Sequence, residues 1–262
     1  MATFHTGPLP LLTKGKTRFV FWPDQQWPHI NPIGGMLDFL AYFKPHYLIL
    51  GGDVINQDPF DHWAKNKPGK AKELPDPKPH YEQFNEEFMA PVRKAMGTRQ
   101  IVFEKGNHEV WADRAIEMTS EGRGYWETEN NVRGADLWVP QFQTVNLGKL
   151  HFAHGDMVNS GVNAAKKIMM VYHRNIWVGH HHKDESYTHV SPIDATEKLI
   201  ARCIGCWTTL NPHYAKDKPN AWVNEFGYGF VDPDGNFSGY PVFAKQDGSF
   251  TALDGKEYAD RG

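Results

Sequence analysis

The chain has 262 residues, 40% of them hydrophobic, with a formal net charge of −3. That length can bury a full core, as one large α/β domain or two small ones. No apolar run approaches the ~18 residues of a membrane span, the charge gives no bulk basic footprint for nucleic acid, and two cysteines cannot staple so long a chain.

The opening MATFHTGPLPLLTKGK lacks the basic start and continuous apolar block of a signal peptide, which with the two cysteines favours the cytoplasm. A strand is then predicted over 17–22, a helix over 34–43 and a strand over 47–50. The Lys/Pro-rich piece 63–79 reads as a long exposed connection before a helix over 81–96. A strand at 100–104 and a helix at 110–119 complete the alternating half. Strands follow at 143–147 and 150–153, joined by a tight hairpin in LGKLHF, then a helix at 162–172. The remainder is strand-rich, at 175–178, 186–190, 199–203, 227–232 and 241–245. Alternating strands and helices in the first half imply βαβ units around a buried parallel sheet, giving an α/β domain with two packed sheets. No internal repeat or interdomain linker is visible.

Five of these strands end in residues able to hold a metal ion. RFVFW leads to Asp24, YLILGG to Asp53, and IVFEKG to Asn107, His108 and Glu109. KLHFA leads to His154 and Asp156, and NIWVG to His180, His181 and His182. Ligands collect at the carboxyl ends of strands in open α/β sheets, so the five loops are expected to converge. Four of them place glycine beside a candidate ligand, which lets backbone approach closely.

The ordered set Asp24-Gln25-Gln26, Gly52-Asp53, Gly106-Asn107-His108-Glu109, His154-Gly155-Asp156 and Gly179-His180-His181-His182 resembles the calcineurin-like metallophosphoesterase superfamily, over roughly residues 17 to 190. The resemblance implies a four-layer sandwich of two mixed β-sheets flanked by helices, as one domain over 1–262. It also implies two divalent metal ions. Asp24, Gln26, Asp53 and His182 would hold one, and Asp53, Asn107, His154 and His180 the other, with Asp53 bridging. Two such ions about 3.5–4 Å apart clamp a phosphoryl group and generate hydroxide between them. Imidazole with carboxylate suits Mn, Fe, Zn, Co or Ni. His108 matches the family's general acid, which protonates the leaving alkoxide.

Two departures refine this. Asn56 stands where Ser/Thr protein phosphatases carry the aspartate of Asp-Arg-Gly, so a protein phosphatase is disfavoured; an amide carbonyl can still orient His108. Gln26 stands where the first motif usually has histidine. Asp24-Gln25-Gln26-Trp27-Pro28 is similar to the Asp-x-Gln-x-Pro of bacteriophage-encoded phosphodiesterases and nucleases, whose location is the host cytoplasm. Glutamine is a weaker, harder ligand than imidazole, which makes Mn the expected metal. Otherwise the first ion is held only once substrate phosphate completes its shell, or His29 replaces Gln26 if the loop doubles back at Pro28.

Plainer readings stand beside these. Asp24 and Asp53 precede helical segments and could be N-caps, and His154 alone could be a satisfied core histidine. His181 is expected to point away from its neighbours, while Asp156 and Glu109 support loops or orient imidazoles. Cys203 and Cys206 are read as strand packing and a turn rather than zinc or redox chemistry. Trp111, Arg114, Tyr125 and Trp126, and farther on Trp207, Asn211, His213 and Tyr214, fit a substrate rim or simple packing. Lys65, Lys67, Lys70 and Lys72 could touch a nucleic-acid backbone or form a solvated loop. The leading expectation is a metal-dependent phosphodiesterase or nuclease acting on DNA, RNA or a nucleotide. A phosphomonoesterase is the alternative, and a non-catalytic scaffold of the same fold the third reading. Oligomeric state is not legible.

Overall fold

The structure is a computed structural model describing residues 9–11, 15–60, 76–119, 124–159, 161–194, 196, 198–211 and 220–260. Its frame follows from strands that are apolar on both faces. β2 (Thr17–Trp22), β3 (Tyr47–Gly51) and β4 (Gln100–Glu104) lie side by side and parallel. Successive side chains of a strand face opposite ways, so a strand buried on both faces reads as an unbroken apolar run. One face, with Val20, Trp22, Leu48, Leu50, Ile101 and Phe103, packs into a cluster with residues of α1 (Gly34–Phe43), α2 (Lys78–Phe84) and α3 (Ala90–Met96). The other face, with Phe19, Phe21, Ile49 and Val102, meets a second sheet.

After β4 come α4 (Val110–Thr119), α5 (Thr128–Asn131) and β5 (Leu137–Val139). The second sheet uses β1 (Leu9–Leu11), β6 (Val145–Leu147), β7 (Leu150–Ala153), β8 (Asn175–Val178), β9 (Glu185–Val190) and β10 (Lys198–Cys203), in the order β1-β6-β7-β8-β10-β9. β11 (Glu225–Val231) and β12 (Phe237–Phe243) extend the first sheet, giving β12-β11-β2-β3-β4-β5. A small hairpin of β13 (Phe250–Thr251) and β14 (Glu257–Tyr258) adds its aromatic rings to the cluster that holds α1. Both six-stranded sheets are mixed, with parallel and antiparallel pairs. Phe152 and Trp177 of the second sheet pack on Phe19 of the first, with ring centroids 5.3 and 5.6 Å apart. α6 (Ala164–Tyr172) covers Ile176, Val178, Ala201 and Cys203 on the outer face. The layers therefore run helix, sheet, sheet, helix, as the sequence predicts. No helix among the described residues is long and apolar enough to cross a membrane.

The differences from the predicted elements have local causes. The helix predicted over 81–96 begins at Lys78 and passes through a π-helical turn, Asn85–Met89, before α3. Pro91 follows that turn and has no N–H to return to the preceding helical carbonyls, which a π turn accommodates. The last long strand runs Phe237–Phe243 rather than 241–245, because it pairs in register with β11, Pro241 opposite Gly227. It is an edge strand, the position in a sheet that tolerates proline. β1 and β5, three residues each, carry too little periodicity to be predicted. Lys65, Lys67, Lys70 and Lys72 lie outside the described residues, as do His213 and Tyr214.

Candidate metal centre

Asp24, Asp53 and Asn107 follow the carboxyl ends of the adjacent parallel strands β2, β3 and β4; His154 and His180 follow those of β7 and β8. The loops meet through their backbones. Asp24 N–H donates to the Gly52 carbonyl (3.0 Å), Gln26 N–H to the Asp53 carbonyl (2.9 Å) and Trp27 N–H to the Val54 carbonyl (2.9 Å). Across the sheets, His180 N–H donates to Asp24 Oδ2 at 2.7 Å. Residues 156 positions apart thus share one pocket wall.

Asp53, His154 and His180 each offer a ligand atom within 4.8 Å of the others, a cluster that could hold a metal ion. Asp53 Oδ1 lies 3.3 Å from His154 Nε2, and Asn107 Oδ1 lies 3.1 Å from that same nitrogen. His154 donates from Nδ1 to the Gly51 carbonyl at 3.0 Å, which turns its Nε2 toward Asp53. Beside this group, His182 Nε2 lies 3.1 Å from Asp24 Oδ1 and 3.4 Å from the Gln26 amide nitrogen. His29 does not take Gln26's place. Its Nε2 faces Asp58 at 3.4 Å. His181 is buried beside His180, ring centroids 5.2 Å apart.

Backbone strain gathers here. Nine described non-glycine residues have positive φ, and five of them are Asp24, Gln26, Asp53, His180 and His182, at 49 to 64°. Such conformations cost about 1–2 kcal/mol each and persist only where surrounding contacts enforce them. Glycine supplies the remaining room. A Cβ on Gly106 would sit 2.2 Å from Asp53 Oδ1, and one on Gly179 would sit 2.3 Å from Asp24 Oδ2.

Glu109 is the principal brace. Its two carboxyl oxygens accept from Asp53, Val54, Ile55 and Gly106 N–H at 2.7 to 3.0 Å, tying the Asp53 loop to the Asn107 loop. Burial and the Asp53 charge push its carboxyl up to about 7, while the amide donors favour the charged form. Lys105, buried, reaches Asp113 at 2.9 Å and Glu129 at 2.5 Å, pinning the same loop to α4 and α5. Asp156 is hydrogen-bonded to Gln141. The group that orients the His154 imidazole is the Gly51 backbone carbonyl, a role no side-chain pattern reveals.

The charges suit a cation. Burial raises the Asp53 carboxyl, yet His108, His154 and His180 outweigh it and hold the group far below the usual range. Burial lowers the His154 pKa, but Asp53 drives it well above its ordinary value. Burial likewise opposes, and Cys206 and Asp24 overcome, so that His182 is pushed up to about 10. Burial and then His154 bring His180 down to about 4. Each buried carboxylate thus draws positive charge, onto His154 and His182, and a divalent ion meets the same demand while releasing those protons. The donor set fits such an ion.

His108 stands at the edge of this cluster. Its Nε2 lies 3.5 Å from Asp53 Oδ2, its backbone N–H donates to Asp53 Oδ1 at 2.9 Å, and its Nδ1 lies 2.5 Å from Asn56 Oδ1. Trp111 stacks on the ring at 4.1 Å between centroids, and Trp222 meets the His182 ring edge-to-face at 4.3 Å. Trp111 also packs with Phe60 and Trp126, so its position serves both predicted readings. Cys203 and Cys206 are buried free thiols, and burial pushes the Cys203 thiol up to about 12.

No family model matches the chain, and no curated protein matches it. Among solved structures it is similar to Vps29 of Chaetomium thermophilum at 12% identity, over 88% of this chain and 99% of that one, with a TM-score of 0.41.

Proposed function

We propose that the chain is a metal-dependent phosphoric ester hydrolase, with phosphodiesters such as DNA, RNA or a nucleotide diester as its substrates. The observation that carries this reading is the cluster of buried Asp53 and His154 with half-buried His180, the His108 ring at its edge. One divalent ion would be held by Asp53, Asn107, His154 and His180, and a second by Asp24, Gln26, Asp53 and His182. Bound there, such ions would supply Lewis acidity toward phosphoryl oxygens and activate water.

The protein's own groups divide the remaining work. Asp53 faces both the His154 and the His108 rings, so its position sets the spacing between cation and acid. Asn56 holds His108 by Nδ1, leaving Nε2 to give a proton to the departing oxygen. Trp111 covers one face of that ring and limits water there. Gln26 offers an amide where imidazole would bind Zn or Fe more tightly, which favours Mn. A scaffold would gain nothing from a histidine acid held in this way. A phosphomonoesterase has the same needs at the metal centre and is separated from a diesterase only by assay.

The test measures hydrolysis of a phosphodiester and a phosphomonoester in parallel with added Mn, alongside metal content. Diester cleavage should exceed monoester cleavage, and His108→Ala should reduce it about 10²–10⁴-fold. Hydrolysis of neither ester, with His108→Ala indistinguishable from the parent, would sink the enzyme reading. Gln26→His should tighten metal binding, and Gln26→Ala should loosen it.

A further inference from the structure

Asn56 lies in a continuous chain of polar contacts that ends at the surface. His108 Nδ1 meets Asn56 Oδ1 at 2.5 Å, Asn56 Nδ2 donates to Asp58 Oδ1 at 2.7 Å, and His29 Nε2 meets Asp58 Oδ2 at 3.4 Å. The backbone of Asn56 is fixed independently of its amide. Its N–H donates to the Trp27 carbonyl (2.8 Å), and its carbonyl receives the Asp58 N–H (2.8 Å) and faces His80 Nε2 (3.0 Å). The choice left to the side chain is which end of the amide faces which neighbour.

A carboxylate only accepts hydrogen bonds, whereas an amide has one donating and one accepting end. If the Asn56 amide were reversed, its oxygen would oppose the Asp58 oxygen, two acceptors in contact. Asp58 therefore selects the orientation in which Asn56 Oδ1 faces His108. That oxygen accepts only if His108 carries a proton on Nδ1. The neutral ring is then the Nδ1–H tautomer, and Nε2 is its only basic nitrogen.

We infer that Asp58 is a positioning residue that sets the tautomer of His108 by fixing the Asn56 amide. The inference rests on the reading of His108 as the acid of a phosphoesterase. When Nε2 gives its proton to a leaving oxygen, the ring that remains is the tautomer that Asn56 stabilises, so nothing need rearrange. A carboxylate at position 56 would need no such help, because both its oxygens accept; an amide does. The plainer role for Asp58 is to open the short 3₁₀ turn Asp58–Phe60 and to pair with His29 on the surface. That accounts for Oδ2 but leaves the grip of Oδ1 on Asn56 unexplained.

The test reads the His108 ring by ¹⁵N NMR in the metal-free 262-residue chain at pH 8, where no substrate or ion contributes. The parent should show a ring protonated on Nδ1. Asp58→Ala should convert it to a mixture or to the Nε2–H form, and with Mn the kcat on a phosphodiester should fall about tenfold with KM little changed. Asp58→Asn, whose amide can accept from or donate to Asn56, should likewise lose the exclusive Nδ1–H ring. Adding Asn56→Asp to Asp58→Ala should restore it. An Nε2–H ring in the parent, or an Nδ1–H ring that survives Asp58→Ala, overturns the inference. Because the tautomer is read without catalysis, a chain that hydrolyses no ester loses the proposed function while the Asp58 result still stands on its own.

Discussion

Glu104 ends β4 buried, with neither carboxyl oxygen hydrogen-bonded. Burial pushes its carboxyl from 4.5 up to about 8, against a smaller opposing effect of the nearby His154. Above 4.5 the unfolded chain gives up a proton that the native group keeps, so stability falls with rising pH until the native carboxyl ionises near 8. At pH 7 this costs roughly 3 kcal/mol. Glu104→Gln should therefore stabilise the protein at pH 7 by up to that amount and make little difference at pH 4. Urea unfolding at the two pH values measures it, and an equal gain at both would remove proton linkage as the cause. Nothing in the IVFEKG pattern announces an unpaired acid, because β4 reads as one more apolar strand leading to Asn107.

Among the elements, the contact between sheets depends on an absence of side chains. Trp177 on β8 lies over Gly227 of β11 and Gly239 of β12, where an added Cβ would sit 2.3 Å from its ring at either position. Gly227→Val should push the indole away and cost about 1–3 kcal/mol, read as a lower denaturation midpoint with unchanged m. A neutral result would mean the sheets part easily at that corner. The strand pattern alone makes these glycines look like weak points in β11 and β12, since glycine destabilises a strand unless something packs against it. Only the stacking of sheets supplies that partner.

For the molecule as a whole, the candidate centre exists only when both sheets are assembled. Its residues come from loops after β2, β3, β4, β7 and β8, and an ion bound there stabilises the native state alone. Mn at about 100 times its Kd should add about 2.7 kcal/mol and raise Tm on the order of 5–10 °C. Asp53→Asn should abolish most of that shift, whereas a similar shift in both proteins would place the ion elsewhere. Strain at five residues of positive φ also belongs to this scale, because no single loop could hold it unaided.

The sequence by itself determined the strands that carry the centre and the residues that stand at their ends. β2, β3, β4, β7 and β8 are short apolar runs closed by Asp, Asn or His, the last four with glycine beside the ligand, a local and legible pattern. It also places Asn56 three residues beyond Asp53, where the resemblance implies a partner for His108. The tertiary structure alone decided which atoms face each other: the Gly51 carbonyl behind His154, Glu109 across four amides, Asp58 behind Asn56, and Asp24 against His180. The physical reason is that composition and periodicity act over a few residues. Hydrogen-bond direction and strained backbone are settled only when segments far apart in the chain compete for the same buried space.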